Sequence, residues 1–284
     1  MEPRPVSITL EKTHPTGLVE ITNDAYHAGP GISKSHLDAI ADQSPLHYWY
    51  EYENPNREPR EESDALRVGS AIHSAILEPD LFTKNYIASP PFNRRTNDGK
   101  KMFADFCEEN AGKGILLPAE FDMCIAARDA VHRHPVAAGL LRNGRAEQSF
   151  YTYDKETGEL IKCRFDYLHD NGGMALDLKS TKSASPVNFA KDAANFRYDL
   201  APPWYFDVLH QLYGERPKHW VWLAVEKEPP FAVGLYYARV EDMERAYIAA
   251  RRDFMRIVNC RRANEWPDYA YNIDPLQMPS WAKR

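Results

Sequence analysis

Four cysteines are spread along the chain, at Cys107, Cys124, Cys163 and Cys260, and no two of them form a C-x-x-C pair. That spacing argues against a disulfide framework, a zinc site or an iron–sulfur cluster and leaves reduced structural thiols. No run approaches the ~18 apolar residues of a membrane-spanning helix. The N-terminus lacks the basic-then-apolar order of a secretion signal, so a cytoplasmic protein with no membrane partner is expected. Positive charge is not in excess either: 35 Lys and Arg face 41 Asp and Glu, for a formal net charge of −6. This excludes a uniformly basic nucleic-acid coat while leaving room for a local basic channel around an acidic site. Internal repeats and low-complexity segments are missing too. What is present is a hydrophobic share of 43% in 284 residues, enough for one large domain or one domain with an added lobe.

The informative stretch is 147–181, which reads as three short strands. The first, 147–153, leads into the charged loop Asp154-Lys155-Glu156-Thr157-Gly158, and the second runs over 159–168. Asn171-Gly172 favours a tight type I′ turn, and a third strand follows over 174–181. With Lys155 to Gly158 as the first loop and Asn171-Gly172 as the second, Glu147 lies opposite Asp166, Asp166 opposite Asp177, and Arg164 opposite Lys179. Three carboxylates then share one sheet face, with Ile161, Cys163, Phe165 and Tyr167 on the other, buried face. Like charges directly opposed destabilise a sheet, so the pattern makes sense if a divalent cation sits among them.

Elsewhere the chain reads as mostly helical. Residues 1–30 form an N-terminal arm whose first ten or so positions are flexible or strand-like. Gly29-Pro30-Gly31 marks a turn, Ser33 or Ser35 caps a helix carrying Leu37 and Ile40, and Ser44-Pro45 restarts it into an aromatic segment around Tyr48 and Trp49. A helix over 65–78, stopped by Pro79, places Leu66, Ser70, His73 and Leu77 near one side, with Gly69 allowing close approach of another backbone. His73 therefore points inward, as a core histidine or, given the acidic cluster downstream, as a metal ligand or phosphate contact. Residues 89–101 form a basic loop with Arg94, Arg95 and Asn97-Asp98-Gly99, a candidate DNA-backbone contact. Helices follow near 101–111, 118–133 and 135–141. After Thr181 come a helix opened by Ser185-Pro186, another opened by Pro202-Pro203, strands over 220–225 and 231–240, and a basic helix over 241–262.

Asp166 and Asp177 are hard oxygen ligands suited to Mg²⁺, with Mn²⁺ as the alternative, and the backbone carbonyl of Leu178 is a further candidate ligand. Such a cation acidifies water and stabilises charge on a phosphoryl transition state, which is phosphodiester hydrolysis. Lys179 shares a strand face with Asp177 and reaches the attacking water or the phosphate, either as a base or as a positioning group.

The ordered set Gly69-Ser70-Ala71-Ile72-His73, Glu147, Arg164-Phe165-Asp166 and Asp177-Leu178-Lys179 resembles the PD-(D/E)xK nuclease superfamily, and within it the RecE-type branch, exodeoxyribonuclease VIII. Tyr26-His27-Ala28-Gly29-Pro30-Gly31-Ile32-Ser33-Lys34-Ser35, Ser44-Pro45 and Trp266-Pro267-Asp268-Tyr269 also resemble that branch. The resemblance implies an α/β (α+β) restriction-endonuclease-like core, a mixed sheet flanked by helices. It forms one nuclease domain over 31–284, with a helical part over 31–146 and a catalytic core over 147–240. It further implies Mg²⁺-dependent digestion of linear duplex DNA from the 5′ end, a homo-oligomeric ring, and hand-over of the overhang to a RecT-like single-strand annealing protein in phage-type recombination. His73, Asp166 and Asp177 become metal ligands, Glu147 an active-site carboxylate and Lys179 the catalytic lysine; Arg164, Tyr205, Thr181, Arg94 and Arg95 are the candidate substrate contacts. The sequence departs from the family's Q-x-x-x-Y, reading Ala201-Pro202-Pro203-Trp204-Tyr205, with Gln211 as the candidate substitute. Two other readings stay open, a catalytically silent DNA-binding module and a structure-specific endonuclease.

Overall fold

The computed structural model describes residues 14–57, 63–269, 273 and 275–278. Strand β1 (Gly17–Val19) and α1 (Asn23–Ala28) precede α2 (Lys34–Asp42) and α3 (Pro45–Tyr48), which continues into one wide turn, Trp49–Glu53. The helical part comprises α4 (Asp64–Leu77), α5 (Pro79–Asn85), β2 (Tyr86–Ala88), α6 (Asn97–Glu109), β3 (Gly114–Leu116), α7 (Pro118–Arg133) and α8 (Pro135–Leu140). Strands β4 (Gly144–Tyr153), β5 (Leu160–His169) and β6 (Met174–Thr181) come next. They are followed by α9 (Pro186–Asn195), α10 (Ala201–Tyr213), β7 (His219–Glu226), β8 (Val233–Tyr237) and α11 (Val240–Ala263).

Six strands form the central sheet in the order β1-β4-β5-β6-β7-β8. All its neighbours are antiparallel except β6 and β7, whose parallel pairing needs a crossover that α9 and α10 supply. The mixed sheet is covered on both faces. On one lie α2, α10 and α11, packed around Trp204, Trp220 and Phe254; on the other lie α4 and α7, packed against Leu176, Leu178, Leu223 and Val225. Ile72 and Ile76 of α4 are fully buried there, each contributing roughly 1.5–3 kcal/mol. A bidentate Arg67–Glu120 pair at 2.9 and 2.8 Å ties α4 to α7 and fixes the helix that carries His73.

Local chemistry explains the element ends. Ser63 and Thr96 accept hydrogen bonds from Leu66 and Gly99 and so cap α4 and α6, while prolines open α5, α7, α8 and α9. Pro79 therefore both ends α4 and starts α5. Asn97-Asp98-Gly99, expected in a loop, is the first turn of α6; Gly99 is required because a Cβ would come 2.0 Å from the Asn93 carbonyl oxygen. Gly69 behaves differently from expectation: among the described residues a Cβ there would meet nothing within 4 Å, and no backbone approaches it. The packing stripe of α4 is also rotated, with Ala71, Ile72, Ala75 and Ile76 buried, Leu66 54% exposed, and His73 at the edge.

Both hairpin registers are those expected, but the second turn is not type I′: that turn needs a positive φ at both central residues, and of Asn171 and Gly172 only Gly172, at φ 64°, has one. Asp154 donates to Glu159 and Gly158 donates back to Asp154, each at 2.8 Å, and Phe150 sits opposite Cys163. In the second turn Gly172 donates to His169 at 2.8 Å, and Tyr167 pairs with Leu176. The N-terminal segment is anchored rather than free over its described part. Lys162, 1% exposed, donates to the carbonyls of Tyr26 at 2.5 Å and Gly29 at 2.7 Å, and burial lowers its pKa to about 8. The first ten positions of the expected arm lie outside the described residues. At the other end of the chain, Trp266 stacks on Tyr48 at 5.6 Å and the Pro267 carbonyl accepts from Leu46 at 3.0 Å, which brings two of the motif segments together.

Candidate active site

Both ladders around β5 are interrupted at its carboxylate. Pairing of β4 with β5 runs from Gly144–His169 to Tyr153–Leu160 and skips Glu147–Asp166, where Glu147 takes a left-handed φ of 55°. Pairing of β5 with β6 stops at Tyr167–Leu176, one step before Asp166 and Asp177 would meet. Opposed like charges and the backbone turn at Glu147 account for the gap. The side-chain alternation changes phase at the same point. Ile161, Cys163 and Phe165 pack with Leu168 on the α10 and α11 side, but Tyr167, expected with them, joins Leu176 and Leu178 on the α4 side. Arg164 lies opposite Ser149 in the β4–β5 register, and because the β5–β6 pairing stops at Tyr167 it is not paired with Lys179.

Into this gap projects α4. One ligand atom each of His73, Glu147 and Asp166 lies within 4.8 Å of the other two, and His73 Nδ1 is 3.7 Å from Asp166 Oδ2. Asp166 is oriented by the Leu178 backbone N–H, which donates to Oδ2 at 2.7 Å. Glu147 is held by Arg164, whose Nε donates to it at 2.6 Å and whose Nη1 donates to Ser149 Oγ at 2.6 Å and the Ile21 carbonyl at 3.1 Å. The Arg164 guanidinium, a candidate substrate contact in the sequence, is thus engaged in positioning a carboxylate. It also acts on Glu78 at the end of α4, a carboxyl that burial pushes up while Arg164 opposes the shift; nothing in the local sequence pattern marks Glu78.

Asp177 stands outside the 4.8 Å group but within its field. Burial raises its pKa, Lys179 opposes that rise, and Asp166 adds to it. Its Oδ1 accepts from Lys179 Nζ at 2.6 Å, whereas Oδ2 is buried without a hydrogen-bond partner. For Lys179, burial favours the neutral amine, but Asp177 and Asp166 outweigh it and keep the pKa above the usual lysine value. Its Nζ lies 5.0 Å from the centre of the Tyr198 ring, a neighbour the sequence reading missed because Tyr198 falls in a short irregular segment with no periodicity.

The remaining candidates are placed as follows. Tyr205 packs edge-on against Phe165 and Trp220 at 5.1 and 5.4 Å, and burial raises its hydroxyl well above the ordinary range. Thr181 donates to Asp192 at 3.1 Å and so ties β6 to α9. Arg94 lies over the Phe103 ring at 4.3 Å; among the described residues neither it nor Arg95 forms an ion pair with the carboxylate cluster. Gln211 is bound to Asp207, Asp154 and the Lys155 backbone, which engages its side-chain amide there.

A divalent cation fits these donors. Carboxylate oxygens and one imidazole converge, and the buried orphan Oδ2 of Asp177 calls for a positive partner. The family described as PDDEXK-like domain of unknown function (DUF3799) matches residues 33–279. The chain belongs to this family. A solved structure, that of a presumed exonuclease from Eubacterium rectale, is similar over 92% of this chain and 96% of its own, with a TM-score of 0.64 and 16% identity. At that identity the likeness shows the fold, a mixed α/β sheet flanked by helices. A second structure, SSO0001, overlaps at a TM-score of 0.29, with 12% identity over 66% of this chain and 85% of its own. No curated protein sequence matches the chain. Among the described residues of this PDDEXK-like protein, no helix is long and apolar enough to cross a membrane.

Proposed function

We propose that the protein is a Mg²⁺-dependent exonuclease that hydrolyses phosphodiester bonds of linear duplex DNA from the 5′ end, with Mn²⁺ as an alternative ion. The observation that carries the metal-dependent hydrolysis is the double break of the sheet at Asp166, which gathers His73, Glu147 and Asp166 and leaves Asp177 Oδ2 buried and unpaired. His73, Asp166 and Asp177 would hold the ion, with Glu147 beside them. When bound, such an ion neutralises phosphate charge and acidifies a water.

This chain's own groups do the rest. The Leu178 N–H and Arg164 hold Asp166 and Glu147 in fixed orientations, so little reorganisation accompanies reaction. Lys179 donates to a non-bridging phosphate oxygen, orients the attacking water or takes its proton. Hydrolysis forms one P–O bond from water and breaks one ester P–O bond, and the departing oxygen takes up a proton. The choice of duplex ends and the 5′ polarity are supported by the RecE-type resemblance, and the exonuclease reading is also supported by the name of the E. rectale structure. The same resemblance supports a homo-oligomeric ring and delivery of the 3′ overhang to an annealing protein.

Linear duplexes labelled at the 5′ or the 3′ end, incubated beside closed circular DNA with and without Mg²⁺, test this reading. Early release of the 5′ label from linear DNA only, dependent on Mg²⁺ and lost in Asp177→Ala, is expected. Cleavage of closed circles, or equal activity in chelator, would overturn it.

A further inference from the structure

Beside Lys179 the structure holds a row of aromatic rings that runs outward from the core. Phe189 stacks on Tyr236 at 4.9 Å, Tyr198 follows at 6.1 Å from Phe189, and Phe196 stacks on Tyr198 at 5.7 Å with an angle of 23° between the rings. The row ends in solvent, for Phe196 is 59% exposed. One exposed phenylalanine needs no explanation by itself. Here, however, two side-chain anchors, Arg197 and Lys34, keep its backbone in place. Arg197 occupies a left-handed conformation, φ 51°, unusual for a residue with a side chain. Its guanidinium is locked by Asp253 and by the Leu37 carbonyl, and the Phe196 carbonyl accepts from Lys34 Nζ at 3.0 Å. The left-handed residue ends α9 in the usual way, and the side-chain contacts fix the turn that carries Phe196.

The position of the ring identifies its occupant. Tyr198 lies between two ammonium groups, Lys179 at 5.0 Å and Lys34 at 5.9 Å from its centre, paired with Asp177 and Asp38 respectively, so the exposed Phe196 ring stands one stacked ring away from a pair of cations and the candidate hydrolytic centre. Cations that meet phosphates beside a ring that meets a base face are the two components of a single-strand nucleotide site. We propose that Phe196, backed by Tyr198, is a stacking platform for a nucleobase of the strand being cleaved, next to the phosphate held by Lys179. This inference rests on the nuclease reading and extends it by assigning a substrate contact.

The test uses the full chain and short linear duplexes carrying 2-aminopurine at the terminal or penultimate position of one strand, with Ca²⁺ replacing Mg²⁺ during binding. In the wild type, stacking quenches the fluorescence at one of these positions. Phe196→Tyr keeps the quenching; Phe196→Leu and Phe196→Ala lose it and weaken binding by about 5- to 150-fold, the range for removing one base–aromatic stack. Because the ring is exposed, these variants fold. Unchanged quenching and affinity in Phe196→Ala overturn the platform. Hydrolysis of the same duplexes in Mg²⁺ is measured in parallel: if it is absent in every protein while the quenching pattern holds, the nuclease reading falls and the platform stands.

Discussion

Acid should loosen the junction between the N-terminal segment and the sheet through one residue, His36. Its Nδ1 accepts from the Ser33 backbone N–H at 3.3 Å and bonds the Ser33 hydroxyl at 2.8 Å, closing a capping box at the start of α2. An acceptor nitrogen cannot carry a proton. Burial, with Lys162 and Arg261 nearby, lowers the His36 pKa to about 3 from an ordinary 6.5. The unfolded chain therefore binds a proton that the folded site refuses, and stability falls as pH drops from 6.5 toward 3. At pH 5 the gap is about 1.5 pH units, or about 2 kcal/mol at ~1.36 kcal/mol per unit. Urea unfolding followed by tryptophan fluorescence at pH 7 and pH 5, in chelator, measures this. His36→Gln keeps an oxygen acceptor for Ser33 and does not titrate, so it should lose about 2 kcal/mol less than the wild type over that interval. Equal losses in the two proteins would refute the reasoning, because other groups would then carry the acid response.

Other outcomes follow from the site. Arg164→Met strands Glu147 beside Asp166 and should destabilise the protein by roughly 3–5 kcal/mol, read by denaturant midpoint; a change below about 1 kcal/mol would mean that the pair is not needed to hold Glu147. Gly69→Ala fills open space on a helix and should stabilise by roughly 0.5–1 kcal/mol, a rise in Tm; a fall would show that a neighbour does approach there. Lys179→Met should lower the Mg²⁺-dependent hydrolysis rate by roughly 10²–10⁴-fold with the fold intact by circular dichroism, and a loss under tenfold would remove Lys179 from the chemistry.

The sheet was legible because its turns are chemically explicit. Asp154 through Gly158 and Asn171-Gly172 admit few registers, and the registers that they imply are those observed. The helices were legible from caps and prolines, as at Ser185-Pro186 and at Pro202-Pro203. What escaped were consequences of the site itself. The phase change at Asp166, which moves Tyr167 to the opposite face, arises from carboxylates that refuse to pair, and a strict two-residue period cannot express it. Gly69 and Asn97-Asp98-Gly99 were misread because glycine marks open space, tight approach and turns alike. Tyr198 reaches Lys179 through the crossover between β6 and β7, a tertiary relation absent from any local window.

The central claim is that the break in the sheet holds a divalent ion, and Mn²⁺ titration followed by electron paramagnetic resonance reads that directly. The wild type should remove free Mn²⁺ from the signal, Mg²⁺ should restore it by competition, and Asp166→Asn should weaken uptake at least tenfold. Equal uptake by wild type and Asp166→Asn would contradict the account.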